Sequence, residues 1–457
     1  MAEVEVPTAA PTALAQRHGV GDETRNGGTA TFELSARPSP AIDVQTQVVT
    51  EDADLPPDGG YGWVIIFVCF VHTFWVNLWA GSWGIMQAAL LRTTLQGSSL
   101  GTLSFVGSLG VALGPALGIP VIRIVRVIGA RAGMLTGIVI YGGGCLLSSV
   151  AVHSVVGLFL ACGLTYGIGS AFTDTLYNTL PVLWFKRRLG TANGIVKLGG
   201  SIGAMVGALA VSYLADGVGV AWTFRILGIV SLATGVPTAL LIKDRGAPPA
   251  YPIRWSVFRD AQFSWHFAAG AVGIFPIYAP TFFLPYINNA LGLSNSTSTA
   301  TVVCLLGCMS IGRLVTGLAC DRVGSMNVLF VTSLVNAASL FAVWPFSSNL
   351  GLVLLFCILN GLSNGGFAVA MPTAVGRHLP VDEAPGALSF LFTGWAPGIL
   401  AGNAISSAMI QLTNADSATS ISPFRPAMFY FGGTALLSTA CGVMARLICS
   451  RHLWVAV

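Results

Sequence analysis

The chain has 457 residues, of which 54% are hydrophobic and only 9% charged, and its mean hydropathy is +0.76. Soluble domains carry about 25% charged residues, so this composition excludes a soluble globular protein and indicates a membrane protein. The net charge of +4 is small. Because the basic residues are dispersed between apolar runs, a nucleic-acid-binding surface is not expected.

The first 58 residues differ from the rest of the chain. They contain ten of the eighteen acidic residues, and no apolar run of spanning length occurs among them. A segment of this composition cannot bury enough apolar surface to fold, so residues 1–58 are predicted to be a disordered tail exposed to water. The segment has neither the basic start nor the apolar stretch of a cleavable signal, and we expect it to remain in the mature protein.

Runs of about 20 apolar residues recur after Tyr61, long enough for a helix to cross a bilayer core of about 30 Å. Spanning segments must pair their own backbone groups, and runs without alternation of apolar and polar residues favour helices over barrel strands. The sequence predicts twelve spans, at 63–87, 99–121, 132–152, 155–180, 191–214, 222–242, 264–288, 299–320, 326–346, 350–375, 385–411 and 425–448.

The distribution of Lys and Arg predicts the orientation of the spans, because basic residues concentrate in cytoplasmic connections. The connections assigned to the outside contain few basic residues, chiefly Arg92 and Arg425. Both termini are therefore predicted to be cytoplasmic, with the plasma membrane the expected location. The sequon that begins at Asn295 then lies outside and is a predicted glycosylation site. The connections assigned to the cytoplasm contain Arg123, Arg126, Arg131, Lys186, Arg187, Arg188, Lys243, Arg245, Arg254, Arg259, Arg322, Arg377, Arg446 and Arg451.

The sequence shows no pattern of an enzyme or of a metal site. The nine cysteines fall in or beside apolar runs and are expected to pack as small side chains. Cys304 and Cys308 are four residues apart, but no His or carboxylate stands near them with metal-ligand spacing. The glycine-rich stretch at 107–118 lies inside a span and lacks the Lys-Ser/Thr of a phosphate loop. We therefore expect no catalytic residues, no cofactor and no metal.

Two groups of six spans suggest a duplicated bundle. Spans two and eight both end in glycine followed by arginine and a second glycine, as in "GRLVTGLACDRVG" at 312–324. Spans five and eleven, which occupy corresponding positions, both carry spaced glycines that would let helices approach closely. The predicted units are a six-helix bundle at 59–243, a cytoplasmic linker at 244–262, a second bundle at 263–449 and a short tail at 450–457.

Two motifs resemble a known family. The stretch "DGGYGWV" at 58–64 is similar to the signature before the first helix of the monocarboxylate porter family, which belongs to the major facilitator superfamily. The stretch "WFKRRLGTANGIVKLGGSIG" at 184–203 resembles the second signature of that family, and 312–324 resembles the ending of its eighth helix, especially in fungal-type members. The resemblance extends over about 56–449 and implies an all-α fold of twelve transmembrane helices in two six-helix bundles.

The first signature also has a physical interpretation. Tyr61 and Trp63 suit the headgroup level of the bilayer, Gly59 and Gly60 permit a tight turn, and Asp58 is expected to stay in water. A structural anchor for span one is the favoured role, and the resemblance associates the signature with conformational coupling. The residues assigned to signature or gating roles are Asp58, Gly59, Gly60, Trp63, Lys186, Arg187, Arg188, Asp321 and Arg322.

Ionisable residues inside spans are costly and are candidates for function. His72, Asp174, Lys197 and Arg313 are such residues, all predicted near the middle of the membrane. The superfamily resemblance implies a solute site there, with helices one, four, seven and ten around it and helices five and eight facing each other. Arg313 matches the arginine of the family's eighth helix and would bind an anion, because its planar guanidinium can hold a carboxylate through two hydrogen bonds. The alternative is a packing arginine that extends to the inner surface.

The other three residues leave alternatives open. Lys197 either contacts the solute or extends toward the inner surface. Asp174 either pairs with Lys197 or carries a coupled proton. His72 is a second candidate for proton coupling, although a structural role is favoured for it. Spans seven and ten add Tyr278, Asn360 and Asn364 as substrate-binding candidates, with polar contacts between helices as the alternative.

The sequence departs from animal members of the resembling family at two places. Span one has no lysine, and Met309 occupies the position one turn before Arg313, where those members have an aspartate. Carriage of a monocarboxylate or related organic anion by alternating access, with protons as a candidate partner, is the predicted function. Export of a neutral or secondary metabolite is the alternative, and a membrane sensor without flux is the second alternative.

Overall fold

The computed structural model describes residues 56–98, 100–243, 254–413 and 420–449. Residues 1–55 of the first predicted tail, 244–253 of the predicted linker and the predicted tail at 450–457 lie outside these ranges. The described part is helical throughout. In the first half of the chain the helices are α1 (Gly62–Thr93), α2 (Leu100–Ala116), α3 (Gly118–Ile128), α4 (Ala130–Val150), α5 (Val155–Leu158), α6 (Tyr166–Trp184), α7 (Leu189–Gly217) and α8 (Val220–Leu240).

The second half contains eight further α-helices within the described ranges. These are α9 (Ala261–Gly273), α10 (Ala279–Ala290), α11 (Asn295–Val323), α12 (Ser325–Ala338), α13 (Leu350–His378), α14 (Ala384–Thr393), α15 (Ala396–Leu412) and α16 (Arg425–Cys449).

Ten helical segments of the described chain are long and apolar enough to cross a membrane, and eleven if the bent pair α2 and α3 forms one span. The bend of 56° in that pair follows from Pro120, which has no N–H to donate to the carbonyl of Ala116. Large apolar side chains on the helix surfaces are exposed, including Val127 and Val150, as expected for a surface covered by lipid.

The seventh predicted span, 264–288, is not one helix. It consists of α9 and α10, which have 13 and 12 residues and are each too short to cross a bilayer core alone. The break at 274–278 contains Pro276, whose ring cannot continue the hydrogen-bond ladder. A carbonyl freed at the break, that of Ile277, accepts a hydrogen bond of 2.8 Å from Asn364 Nδ2 on α13.

We call residues 56–243 of the described chain the N-half and residues 254–449 the C-half, and the helices of each half pack mainly on one another. In the N-half, α7 packs along α1 with Gly199, Gly203 and Gly207 against backbone oxygens of α1. In the C-half, Gly398 and Gly402 of α14–α15 similarly pack on Phe275 at the end of α9. Both halves therefore contain glycines at close helix contacts, although Gly398 meets side chains and the glycines of α7 meet backbone oxygens.

The two halves meet mainly along α7 and α11, with further contacts of α3 with α14 and of α2 with α15. Gly194 on α7 faces Gly317 on α11 so closely that a Cβ atom built on Gly194 would lie 2.9 Å from the carbonyl oxygen of Arg313. One end of the bundle carries most of the basic residues, among them Lys186, Arg187 and Arg377. We call it the basic end, and it is the end predicted to be cytoplasmic.

Candidate functional site

A cavity of about 120 Å³ lies between the two halves, near the middle of the helices. Five of the predicted binding residues line it, and they come from four helices and one helix break, in both halves. They are Asp174 on α6, Lys197 on α7, Tyr278 in the break between α9 and α10, Arg313 on α11 and Asn364 on α13.

Arg313 crosses the interface. Its Nη1 donates a hydrogen bond of 2.6 Å to the backbone carbonyl of Lys197, and its Nε is buried without a hydrogen-bond partner. Within the part of the chain that the structure describes, the ion pairs do not include Arg313. A guanidinium that lines a cavity without an acidic partner is a cation available to an anionic solute.

Lys197 and Asp174 do not form a direct ion pair; Asn178 lies between them. Lys197 Nζ donates to Asn178 Oδ1, and Asn178 Nδ2 donates to the backbone carbonyl and, at 3.4 Å, to Oδ1 of Asp174. Tyr177 also donates its hydroxyl to Asp174 Oδ1. The predicted pairing of Asp174 with Lys197 is therefore indirect in the structure.

The two walls of the cavity differ in chemistry. The N-half wall is mostly polar, with Thr73, Asn77 and Ser170 beside the charged pair. The C-half wall is mostly apolar apart from Arg313, Asn364 and Tyr278. Its apolar lining consists of Ile274, Ile277, Met309, Ala368, Phe392, Trp395 and Ile399.

Two predicted site residues lie outside this lining. Asn360 is fully buried and donates hydrogen bonds to Asn336 Oδ1 and Ser339 Oγ, so the structure assigns it to packing between α13 and the α12 segment. His72 on α1 is also fully buried, and neither of its ring nitrogens has a hydrogen-bond partner among the described residues. Neither side chain is part of the cavity lining.

At the basic end, Asp321 joins the two halves. Its carboxylate accepts hydrogen bonds of 2.8 Å from the backbone N–H groups of Gly190 and Thr191 at the start of α7, where the helix dipole favours an anion. It also pairs with Arg377 on α13. Arg377 in turn donates to the backbone carbonyls of Cys320 and Arg187, at 2.6 and 2.9 Å.

We call the set Lys186, Arg187, Gly190, Thr191, Cys320, Asp321 and Arg377 the latch. Lys186 adds contacts of 3.5 Å from Nζ to the carbonyls of Arg377 and Leu379. Arg322, which the sequence suggested for gating, is exposed instead. From the sequence alone, Arg377 is predicted only to contribute to the orientation of the spans. Its position at the basic end of span ten was the signal available in the sequence.

The first signature is bonded to the second one. Asp58 Oδ1 accepts hydrogen bonds from the backbone N–H groups of Lys186, Arg187 and Arg188, at 2.8, 2.8 and 3.1 Å. Asp58 is partly exposed, but its carboxylate also has these three backbone partners, which the sequence did not predict. Its carboxylate fixes the segment that contributes to the latch, because consecutive N–H groups form a site for an anion.

The aromatic and glycine residues of the signature support this arrangement. Trp63 packs on Phe185 with ring centroids 4.8 Å apart, and Tyr61 donates its hydroxyl to the carbonyl of Leu241 at 2.7 Å. Gly60 has φ +56°, a conformation that favours glycine, while Gly59 accepts a hydrogen bond from the N–H of Gly62. The signature therefore forms a tight turn that attaches α1 to the connection between α6 and α7.

Comparison with known proteins agrees with this architecture. The family model described as Major Facilitator Superfamily matches residues 68–334 and 267–451. The chain is 26% identical to the MFS transporter asaE of Aspergillus flavus over 88% of this chain and 92% of that protein. It is 24% identical to the fujikurins efflux protein of Gibberella fujikuroi, over 79% and 78% of the two chains. Among solved structures, an outward-facing bacterial homologue of the iron transporter ferroportin superposes with a TM-score of 0.65, at 16% identity over 85% of this chain and all of that one.

Proposed function

The chain belongs to the Major Facilitator Superfamily and is a multi-pass membrane transporter, and we propose that it carries a small organic anion, a monocarboxylate or related acid, by alternating access. The position of Arg313 in the cavity is the observation that supports this proposal. It lines a cavity between two halves, it lacks an acidic partner among the described residues, and a carboxylate is the anion that its planar donor set fits best.

The resemblance to the monocarboxylate porters, in a fungal-type form, is part of the proposal. The two signatures that suggested it are bonded to each other through Asp58, and the arginine of the eighth helix is in the cavity. The missing lysine of span one and the methionine at 309 remain departures from animal members. Lys197 on α7 also lines the cavity, but Asn178 connects it to Asp174.

Alternating access is supported by the position of the latch. The polar contacts of Asp321 and Arg377 close the basic end below the cavity, so a solute in this state exchanges with the opposite side. Opening of the latch would then expose the cavity to the basic end. Rocking of two bundles around a site at the middle of the membrane is the expected motion for such a fold.

Proton coupling is a separable part of the proposal. Asp174 is the candidate, because it is an acid that lines the cavity, whereas His72 lies outside the lining. A proton gradient imposed on protein-containing liposomes should accelerate accumulation of the solute if Asp174 carries a proton, and Asp174→Asn should remove that acceleration. Equal accumulation with and without the gradient would exclude coupling and leave facilitated transport.

The anion proposal is tested by flux. The purified protein is reconstituted in liposomes, and uptake of a panel of radiolabelled monocarboxylates and neutral metabolites is measured in wild type and in Arg313→Ala. Hydrogen bonds to charged groups contribute about 1.5–3 kcal/mol, so we expect a loss of flux or affinity of roughly 10- to 100-fold for the anions. Arg313→Lys should retain part of the activity, because it keeps the charge but not the planar donors.

Arg259→Gln is the matched control. It removes an exposed arginine outside the cavity and should leave flux unchanged. Saturable flux of an anion that Arg313→Ala leaves intact would contradict the site assignment. Saturable binding without flux in any condition would instead favour a membrane sensor built on this fold.

Export of a neutral or secondary metabolite is a second candidate. The apolar C-half wall favours it, because residues such as Ile277, Trp395 and Ile399 suit an apolar solute. One relative is named an efflux protein. In this case flux of neutral compounds would saturate and would be insensitive to Arg313→Ala, which separates the two candidates in the same assay.

The proposal extends to topology. We place both termini in the cytoplasm, the protein in the plasma membrane, and the two bundles at 59–243 and 263–449 with the linker at 244–262. Asn295 begins α11, and its side chain lies outside the described residues. Glycosidase treatment of wild type and Asn295→Gln tests glycosylation, and protease protection of terminal tags in sealed cells tests the orientation.

A further inference from the structure

The ammonium group of Lys197 is held within the cavity wall. Its Nζ donates to Asn178 Oδ1 and lies 5.0 Å from the ring centroid of Tyr177 and 5.2 Å from that of Phe392. Tyr177 belongs to the N-half and Phe392 to the C-half. Aromatic faces attract a cation, so these contacts stabilise the charge without neutralising it.

Asn178 is oriented by charges on both of its ends. Lysine can only donate, so the oxygen of the amide must face Lys197. The nitrogen then faces Asp174, where it donates to the backbone carbonyl at 2.8 Å and approaches the carboxylate at 3.4 Å. The reverse orientation would place an N–H group against an ammonium and an oxygen against a carbonyl. Asn178 therefore joins an anion and a cation that are not in direct contact.

Arg313 is different because no such bridge reaches it. Its Nη1 contacts only a backbone carbonyl, and its Nε has no partner. Around the cavity, the described charged side chains are Asp174, Lys197 and Arg313, one anion and two cations. If Asp174 and Lys197 compensate each other, the wall offers the solute a single uncompensated positive charge.

We propose that Asn178 is a positioning residue that joins Asp174 and Lys197 into one neutral unit, so that the site selects monoanions over dianions. This inference rests on the proposed transport of an organic anion. A monoanion is neutralised by Arg313. A dianion would keep one negative charge in a cavity of low dielectric beside Asp174, which is costly unless a second cation is released.

The experiment compares solutes of nearly equal size that differ in charge. Pairs such as succinamate and succinate, or adipamate and adipate, are measured by flux and by inhibition of the best monoanion at pH 7.5. We expect wild type to prefer the monoanion of each pair by at least about tenfold. Asp174→Asn leaves Lys197 without its anion, so the ratio should fall by about tenfold or invert.

Asn178→Leu keeps both charges but removes the amide that connects Lys197 with Asp174. Lys197 is then available to a dianion, so the ratio of monoanion to dianion transport should shift in the same direction. The double variant Asp174→Asn/Lys197→Met restores a wall with one cation and should recover the preference for monoanions. It also keeps the test decisive where a single variant folds poorly. Asn77→Leu removes another asparagine of the same wall, which bonds only the Thr73 carbonyl, and should leave the ratio unchanged whatever its rate.

The outcomes separate this inference from the proposed function. If no monoanion of the panel binds or moves, the anion proposal fails and the inference fails with it. Wild type could carry a monoanion and depend on Arg313, while Asp174→Asn and Asn178→Leu keep the ratio of monoanion to dianion transport within twofold of the wild-type value. In that case the proposed function stands and charge selection by Asn178 is overturned. A double variant that prefers dianions would also overturn it.

Discussion

The same interface between the two halves is built differently at its middle and at its basic end. In the middle, Arg313 reaches from α11 to the carbonyl of Lys197 and has no acidic partner among the described residues. At the basic end, four residues later than Gly317 on the same helix, Asp321 accepts two backbone N–H groups and pairs with Arg377. Arg313 is therefore available to a solute, whereas Arg377 is paired with a carboxylate of the protein.

This difference indicates how polar groups are used along the interface. Buried polar groups are costly unless they are paired, so complete pairing at the basic end stabilises the closed state of that end. Incomplete pairing in the middle leaves binding capacity that a solute can satisfy. We infer that the latch sets the conformational equilibrium, whereas the cavity sets which solute shifts it.

The largest effect is expected when the negative charge of Asp321 is removed from the latch. Asp321→Asn removes one partner of a pair whose side chains are only 20% and 13% exposed. Loss of one partner from a buried ion pair costs about 3 kcal/mol, so the equilibrium should move toward an open basic end by roughly 100-fold. Spin labels at positions 188 and 322, on opposite sides of the latch, should show a longer distance by pulsed electron paramagnetic resonance.

Asp216→Asn is the control for this prediction. Asp216 pairs with Arg92 at 3.6 Å, but both side chains are about two-thirds exposed, at 70% and 66%, and both belong to the N-half. An exposed pair contributes less than about 1 kcal/mol, so the spin-label distance should not change. An unchanged distance in Asp321→Asn would show that the latch does not hold the basic end closed.

The sequence predicted the middle of the interface better than its basic end. Burial of a charge in an apolar run is visible in one dimension, so Arg313, Lys197 and Asp174 could be found from their positions in the predicted spans. Arg377 could not, because it lies among other basic residues at the end of a span. Its bond to Asp321 depends on how α13 and α11 approach each other in space.

The broken helices show a similar limit. Pro276 and Pro280 are a sequence signal for a distorted helix in span seven, but a kink and a full break have the same signal. The structure adds the reason that the break is tolerated, since Asn364 satisfies the freed carbonyl of Ile277. Likewise, Asn178 had no signal of its own. An asparagine in a span acquires its role only from Lys197 and Asp174, which lie on different helices.

A second prediction concerns the close approach of the halves between the cavity and the latch. A Cβ atom on Gly317 would lie 2.5 Å from the carbonyl oxygen of Gly190, so Gly317→Ala must push α7 and α11 apart. Overpacking costs about 1–3 kcal/mol, and it is relieved when the basic end opens. We expect a shift toward the open state of about tenfold, measured with the same spin labels.

Gly307 offers the control on the same helix. A Cβ atom on Gly307 would meet no atom within 4 Å, so Gly307→Ala should leave the equilibrium unchanged. It should raise stability slightly, because alanine is the better helix former by up to about 1 kcal/mol. Equal behaviour of the two alanine variants would mean that the contact of Gly317 with α7 does not distinguish the two states.

The smallest expected effect belongs to a pair at the basic end that lies within one half. Asp260 precedes α9 and bonds His378, the residue after Arg377. Burial raises the pKa of Asp260, but the hydrogen bond and charge of His378, together with the N–H groups of Gln262 and Phe263, outweigh burial and hold the pKa below its ordinary value. A depressed pKa means that the contribution to stability is present above about pH 4 and is lost as the pH falls through the lowered value.

Because the pair is partly exposed, this contribution should be below about 1 kcal/mol. Thermal unfolding of the protein in detergent should therefore show a slightly larger loss of stability between pH 6 and pH 3 in wild type than in Asp260→Asn. Asp382→Asn, which removes an exposed carboxylate from the same end, should follow wild type.

Since Asp260 and His378 both belong to the C-half, Asp260→Asn should not open the basic end. A clear increase of the spin-label distance in this variant would show that pairs within one half also affect the equilibrium between the closed and open basic end. The distinction between contacts that join the two halves and contacts within one half would then be wrong.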